Sequence, residues 1–229
     1  MLYAGLRYGA KIKAYYVKTT FQPEFELDDA KKLAAQVGTE LTIIGKDILE
    51  NAEVVSNPPD RCYFCKKSIF GTICAQALSD GLSLILDGTN ASDDASDRPG
   101  MKALTELSVR SPLRECGITK EEVRRLSKEA GLFTWDKPAY ACLATRIPTG
   151  RAYTKDLLHR VGKAEDAMCK FGFSDFRVRV MGETSNLVCA KLQLPQKQFS
   201  SLLDKRLEII DAIKPYFPSV LLDLEGRNE

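Results

Sequence analysis

The order of its apolar segments constrains this chain more than any other feature. Lys11–Lys18 is a short β-rich run, and Glu40–Gly45 holds a second one, Leu41-Thr42-Ile43-Ile44. Between them, Phe25–Val37 sets Leu27, Ala30, Leu33, Ala34 and Val37 at helical spacing, and Gly38 supplies a stop. A helix is predicted over Lys66–Ser79 and a strand over Leu82–Asp87. Helix alternating with strand demands crossover connections, which build a parallel sheet in an α/β fold. The Leu84-Ile85-Leu86 stretch runs out at Asp87 into Gly88-Thr89-Asn90. Open α/β sheets take their ligands at the carboxyl ends of such strands.

A further helix opens at Gly117-Ile118-Thr119, where Thr119 is a good N-cap and Val123, Leu126 and Ala130 form the inner stripe. Past Arg151 the pattern changes. Ala152–Phe171 reads as one amphipathic helix closed by Gly172, Phe176–Val180 and Leu187–Leu192 alternate like strands, Gln196–Tyr216 is helical, and Ser219–Leu224 is a final strand. Residues 151–229 are therefore expected to form a smaller α+β module beside a domain over residues 1–150.

Charge and composition exclude several classes. Among 229 residues, 33 basic and 31 acidic side chains leave a formal charge of +2, too even for a protein built mainly to coat nucleic acid. No apolar run reaches the roughly 18 residues that span a bilayer. Met1–Arg7 lacks the charged start, apolar stretch and small-residue cleavage site of a secretory leader, so a cytoplasmic location is expected. The seven cysteines are odd in number and irregular in spacing, which leaves thiols available for metal, sulfur or core roles.

Two cysteine motifs carry the chemistry. Cys62-Tyr63-Phe64-Cys65 follows the turn Asn57-Pro58-Pro59-Asp60 and enters a helix, where the dipole, Arg61, Lys66 and Lys67 all favour a thiolate. Cys142 lies between Lys137 and Arg146 in a segment holding Pro138 and Pro148. A closed zinc site wants a fourth soft ligand, and the sole histidine, His159, reads as a helix-surface residue. Cys62, Cys65 and Cys142 can hold three irons of a 4Fe-4S cluster and leave the fourth open, or one of them can be a reactive sulfur. Cys74, Cys169 and Cys189 sit on apolar periodicity as small core hydrophobes, and Cys116 is a loop residue without a clear role. Asp93, Asp94 and Asp97 form either a Mg²⁺ site beside phosphates or a solvated acidic loop. Arg177 and Arg179 share a strand face, as a phosphate site or as a solvent-facing basic strand.

Asp87-Gly88-Thr89-Asn90, Asp97-Arg98-Pro99-Gly100, Ser111-Pro112-Leu113, Trp135-Asp136-Lys137-Pro138 and Ala141-Cys142-Leu143-Ala144-Thr145-Arg146-Ile147-Pro148 together resemble the ATP-dependent sulfur transferases of the LarE family. That family belongs to the PP-loop ATP pyrophosphatases, and the resemblance spans essentially the whole chain. It implies a Rossmann-like, adenine nucleotide alpha hydrolase-like fold. It also implies a pyridinium biscarboxylate mononucleotide substrate on the way to the nickel-pincer nucleotide, with ATP and Mg²⁺ as cofactors. ATP adenylylates a substrate carboxylate, and a sulfur nucleophile displaces AMP. Cys142 matches the sulfur-bearing cysteine, sacrificed to dehydroalanine in members that have it alone. With Cys62 and Cys65 present, the chain resembles the branch in which a 4Fe-4S cluster carries the sulfur.

The resemblance further places Glu165, Arg177, Arg179 and Asp223 at the substrate phosphate, and Lys66 or Lys67, Arg146 and the Gly88-Thr89-Asn90-Asp93 loop near the nucleotide. A homo-oligomer is expected, and membrane or nucleic-acid partners are not. The runner-up from the same superfamily is a tRNA thiolase, which the even charge and the lack of a basic, aromatic-interleaved stretch disfavour. The family's Ser-Gly-Gly-x-Asp-Ser loop, whose amides grip pyrophosphate, does not occur in these 229 residues, and Thr149 stands where the family usually has Tyr. Met1–Gly9 reads as the end of the helix that follows that loop, so the expectation is a shortened chain. The other possibility from that absence is a non-catalytic nucleotide-binding remnant.

Overall fold

The structure, a computed structural model, describes residues 1–93, 99–182 and 188–227. The chain divides into two compact units. One comprises Met1–Thr19 with Glu24–Lys137, the other Thr20–Pro23 with Pro138–Glu229.

The first unit runs α1 (Leu2–Arg7), β1 (Ala14–Lys18), α2 (Glu24–Val37), β2 (Leu41–Gly45), α3 (Ala52–Val55), α4 (Arg61–Ser79), α5 (Pro99–Glu106), α6 (Pro112–Glu115) and α7 (Lys120–Glu129). β1 and β2 pair in parallel, with Ala14 opposite Leu41 and Lys18 opposite Gly45. The connecting helix α2 carries Glu24 and Glu26 at the positive end of its dipole. It stops where Gly38 takes φ +75°, a conformation that frees Thr39 N to bond Ala34 O. Ile48, Val54, Ala77, Ala103 and Leu104 form the buried centre of this unit. α7 starts on a complete capping box, Thr119 with Glu122.

The strand expected over Leu82–Asp87 does not form. It contracts to one parallel bridge between Leu86 and Arg110, flanked by bonds from Arg110 N to Ile85 O and from Asp87 N to Arg110 O. The partner segment is too short to extend the ladder, because Pro112 lacks an N–H and begins α6 two residues later. The fold of the described residues is therefore mixed α/β, with a two-stranded parallel sheet in this unit.

The second unit runs through a 3-10 turn (Leu143–Arg146), α8 (Lys155–Lys170), β3 (Arg177–Met181), β4 (Cys189–Gln193), α9 (Phe199–Asp204), α10 (Arg206–Ile213) and β5 (Val220–Leu222). β4 is central, antiparallel to β3 and parallel to β5. α8 begins at Lys155, because Thr154 Oγ1 accepts from Leu157 N and so caps it there. Its inner face, Val161, Ala164 and Met168, packs with Val178 and Val180 of β3 out of water. Each large side chain buried this way contributes about 1.5–3 kcal/mol. The single helix expected over Gln196–Tyr216 is broken at Lys205, whose ammonium bonds Phe171 O at 3.0 Å. Pro215 then ends α10, since the residue before a proline is disfavoured in helical conformation.

Cys169 is exposed and Cys74 and Cys189 are half-buried, so none of the three is the core hydrophobe expected of it. Among the described residues no helix is long and apolar enough to cross a membrane.

Candidate functional site

Cys142 is the N-cap of the Leu143–Arg146 turn. Its carbonyl accepts from Thr145 N at 3.0 Å and Thr145 Oγ1 at 2.9 Å. The next residues are pinned from two sides: Leu143 N donates to Phe21 O at 2.9 Å, and the Tyr153 hydroxyl donates to Ala144 O at 3.2 Å. Phe21 and Tyr153 meet edge to face with ring centroids 5.0 Å apart. The cysteine thus stands on a turn whose backbone has little freedom.

Arg146 closes that turn and is 1% exposed. Its Nε donates to Glu165 Oε1 at 2.6 Å, its Nη2 to Glu165 Oε2 at 3.2 Å, and its Nη1 to Thr145 Oγ1 at 2.8 Å. The Glu165 carboxylate also accepts from the Tyr140 hydroxyl at 2.6 Å and from Val178 N at 2.9 Å. Burial opposes the charge on Arg146, but hydrogen bonding and attraction from Glu165, with Tyr140 and Cys142 nearby, hold the guanidinium protonated above its ordinary range. Glu165 therefore spends its oxygens on Arg146, Tyr140 and the β3 backbone.

β3 presents Arg177 and Arg179 on the face opposite Val178 and Val180. Arg179 Nε donates to Gln193 Oε1 and its Nη1 to Thr145 O at 3.2 Å, which links this strand to the cysteine turn. The Arg177 side chain makes no hydrogen bond or ion pair among the described residues, though the Asp175 charge attracts it. Burial first, then the neighbouring Arg227 and Arg146 charges, draw Arg177 below the usual guanidinium range; burial, Arg146 and Arg227 do the same to Arg179. Asp223 lies past β5, and its Oδ2 accepts from Gln193 Nε2 at 2.6 Å and Lys191 Nζ at 2.9 Å. Those contacts hold the Asp223 carboxyl below its ordinary value. Arg227 belongs to the same neighbourhood and escaped sequence reasoning, since nothing in the Gly226-Arg227 pattern marks it.

In the first unit, Cys62 and Cys65 occupy the first turns of α4. Arg61 Nη2 lies 3.2 Å from Cys62 Sγ, and its Nη1 bonds Asn57 Oδ1 at 3.3 Å. Lys66 lays its stem on Gly100, where a Cβ would stand 2.8 Å from Lys66 Cδ. Its ammonium has no hydrogen-bond or ion-pair partner among the described residues. Lys67 instead binds Tyr63 at 2.9 Å and Glu106 at 3.2 Å.

The loop holding Gly88, Thr89 and Asn90 is tied inward. Asp87 accepts from Ser111 Oγ at 2.6 Å and from Thr89, and Asp93 Oδ2 accepts from Asn90 N at 3.0 Å. Asp94, Asp97 and Arg98 lie outside the described residues. Lys137, expected beside Cys142, pairs with Asp29 and lies over the Phe133 ring. His159 is exposed on α8, as a helix-surface residue should be. An open groove of about 560 Å³, which the sequence did not announce, runs along Ser68, Gly71, Thr72 and Ala75 of α4 to Lys46. Among the described residues no group of three or more His, Cys, Asp or Glu side chains could hold a metal ion.

No family model matches the chain. It is 38% identical over 213 residues to the uncharacterized protein slr1717 of Synechocystis sp., covering 92% of this chain and 77% of that one. It is 31% identical over 207 residues to the pyridinium-3,5-bisthiocarboxylic acid mononucleotide synthase of Lactiplantibacillus plantarum, covering 88% and 71%. A third relative, the uncharacterized protein MJ0830 of Methanocaldococcus jannaschii, is 28% identical over 211 residues, covering 92% and 79%. The chain belongs to the LarE family, that of the pyridinium-3,5-bisthiocarboxylic acid mononucleotide synthase.

Proposed function

We propose that this protein is a sulfurtransferase that turns a carboxylate of a pyridinium biscarboxylate mononucleotide into a thiocarboxylate, in the synthesis of the nickel-pincer cofactor. The observation that carries the reading is the bond chain from Cys142 through Thr145 to Arg146 and Arg179. It sets a sulfur-bearing turn against an arginine face on which Arg177 and Arg179 repel each other and Arg146.

In this reading Arg177 and Arg179 take the substrate phosphate, with Asp223 fixing Gln193 and Lys191 beside them. Glu165 acts through Arg146 rather than on the phosphate, because a carboxylate committed to an arginine and a backbone amide has no hydrogen to offer an anion. ATP binds in the first unit, where Lys66, whose ammonium has no partner among the described residues, would meet its phosphates and the Gly88-Thr89-Asn90-Asp93 loop would supply polar groups to them and to Mg²⁺. The substrate carboxylate attacks the α-phosphorus and pyrophosphate leaves. A sulfur nucleophile then attacks the acyl carbon, and AMP leaves with the electron pair of the broken C–O bond.

If Cys142 is that nucleophile, its thiolate forms a thioester. Loss of its α-proton and scission of its Cβ–S bond then free the thiocarboxylate and leave dehydroalanine. The other route is a 4Fe-4S cluster, for which Cys62, Cys65 and Cys142 would be the three thiolate ligands and which would supply sulfur at the iron left open.

Incubation with ATP and the carboxylated mononucleotide, followed by mass spectrometry of substrate and protein, tests the reading. Thiocarboxylate should form in step with AMP, and Cys142→Ala should abolish it. AMP release without any sulfur in the product would reject it.

A further inference from the structure

The turn that leads into α4 is built on a strained residue. Asn57 is 1% exposed and takes φ +52°, a left-handed conformation that asparagine tolerates better than most side chains. Its N donates at 3.1 Å to the carbonyl of Val54, a wholly buried residue of α3. Pro58 follows, and Arg61 N donates to Pro58 O at 3.0 Å. This turn fixes where Arg61 stands. Its Nη1 donates to Asn57 Oδ1 at 3.3 Å, and its Nη2 lies 3.2 Å from Cys62 Sγ. A buried side chain thus holds a guanidinium against one particular sulfur.

Cys65 lies three residues further along the same helix. At helical pitch and rise, residues so spaced have Cα atoms about 5 Å apart, inside the span of roughly 4.4–6.8 Å that a disulfide bridges. Asp60 makes no side-chain cap, and the first N–H groups of a helix owe no bond to its ladder, so this opening turn can tighten without losing one. Tyr63, between the two cysteines, donates to Glu106 Oε2 at 2.8 Å and ties the turn to α5. The sulfurs differ in access, Cys62 being exposed and Cys65 half-buried. An exposed sulfur beside a cation, one turn from a more sheltered sulfur, is the arrangement of an attacking thiol and its resolving partner. The parallel β1–α2–β2 unit ahead of this CxxC is a setting in which such a motif does redox work.

We propose that Cys62 and Cys65 form a reversible thiol–disulfide pair with low-molecular-weight disulfides of the glutathione class, Cys62 attacking and Cys65 resolving. The Cys62 thiolate attacks one sulfur of the small disulfide, and the other half leaves as a thiolate. Cys65, its proton given to water, then attacks Cys62 Sγ and expels the second half. The two protein thiols lose two electrons and two protons, and the small disulfide becomes two thiols. Arg61 stabilises negative charge on Cys62 as that sulfur attacks and, on reduction, as it leaves. The oxidised pair has no thiolate for iron, so its redox state decides when the cluster route above is open. The inference rests on the geometry of the first unit and goes beyond the sulfurtransferase reading.

The test equilibrates the full chain in mixtures of reduced and oxidised glutathione, blocks free thiols with N-ethylmaleimide and maps the tryptic peptides by mass spectrometry. Trypsin cuts after Arg61 and after Lys66, so both cysteines travel on one peptide, Cys62–Lys66. In oxidising mixtures that peptide should lose two hydrogens and take no maleimide, and dithiothreitol should restore both sites. Cys142→Ala should behave as wild type. Cys65→Ser should stop at a mixed disulfide of Cys62 with glutathione, whereas Cys62→Ser should leave Cys65 slow to react. Arg61→Gln should slow the first step several-fold. A peptide that stays reduced while the exposed Cys116 and Cys169 take up glutathione would overturn the inference. So would a link from Cys62 to Cys142, or equal rates in the two serine variants. A reduced pair in protein that still forms thiocarboxylate overturns this inference alone. A pair that oxidises normally in protein that forms none supports it and rejects the sulfurtransferase reading.

Discussion

The Arg146 Nε and the Glu165 Oε1 meet at 2.6 Å with both side chains almost wholly removed from water. A pair placed so deep is held together by what each partner would suffer alone, since an unmatched buried charge is far costlier than an absent pair. Glu165→Gln should therefore destabilise the protein by about 3–5 kcal/mol, measured by urea unfolding. The double variant Arg146→Met with Glu165→Leu should recover only part of the loss, because Val178 N and the Tyr140 hydroxyl still lose their acceptor. If Glu165→Gln unfolds at the wild-type midpoint, the pair is not what locks the cysteine turn.

The three thiols of the proposed cluster can be tested one at a time. Anaerobic reconstitution with iron and sulfide should give the broad charge-transfer absorption of a 4Fe-4S centre, lost in Cys62→Ala, Cys65→Ala and Cys142→Ala. Cys74→Ala should keep it. Stoichiometric zinc and no iron absorption in the purified wild type would reject the assignment.

Tyr16 on β1 gives a prediction with a pH sign. Its hydroxyl is buried without a hydrogen-bond partner among the described residues, and burial, reinforced by Glu26 and Glu24, pushes its ionisation up to about 12. Tyr16→Phe removes an unsatisfied polar group and should raise stability by about 1 kcal/mol at neutral pH. The neutral phenol is required in the folded state, whereas the unfolded chain releases the proton near pH 10. Wild-type stability should fall as pH climbs from about 10 towards 12, and the advantage of Tyr16→Phe should widen over that window. Parallel denaturation curves across it would show that Tyr16 reaches water.

Gly100 is the surface on which Lys66 lies. Gly100→Ala places a methyl 2.8 Å from Lys66 Cδ and 3.4 Å from Cys62 O. The lysine stem can swing aside at small cost, so stability should change by less than about 1 kcal/mol. The lysine head would then be displaced, and the KM for ATP should rise while the thermal midpoint stays near wild type. An unchanged KM would remove Lys66 from the nucleotide.

Much of the local structure was legible because it rests on short-range rules. Thr119 with Glu122 forms the capping box that its spacing implies, and alternation along β3 puts Arg177 and Arg179 on one face. The residue types at Cys62, Cys65 and Cys142 raise the expectation of metal or sulfur chemistry from sequence alone. What escaped depends on partners far along the chain. Leu84-Ile85-Leu86 has strand composition, yet a proline in the opposite segment leaves it with one bridge. That Glu165 bonds Arg146 and Tyr140 was not legible, because both partners come from a distant part of the chain. Arg227 and Phe21 carry no local signal, because their roles come from where turns deliver them.

The placement of Phe21 has a consequence for how the protein is made. Thr20–Pro23 sits between β1 and α2 in sequence but belongs to the second unit. During synthesis this short stretch leaves the ribosome long before Leu143 and Tyr153, the residues that later receive it. An early-folding first unit must hold an aromatic side chain in waiting, exposed until the cysteine turn emerges to cover it. The closing of the Cys142 turn is thus a late event in biogenesis, and a fragment beginning at Pro138 would lack the backbone carbonyl that fixes Leu143.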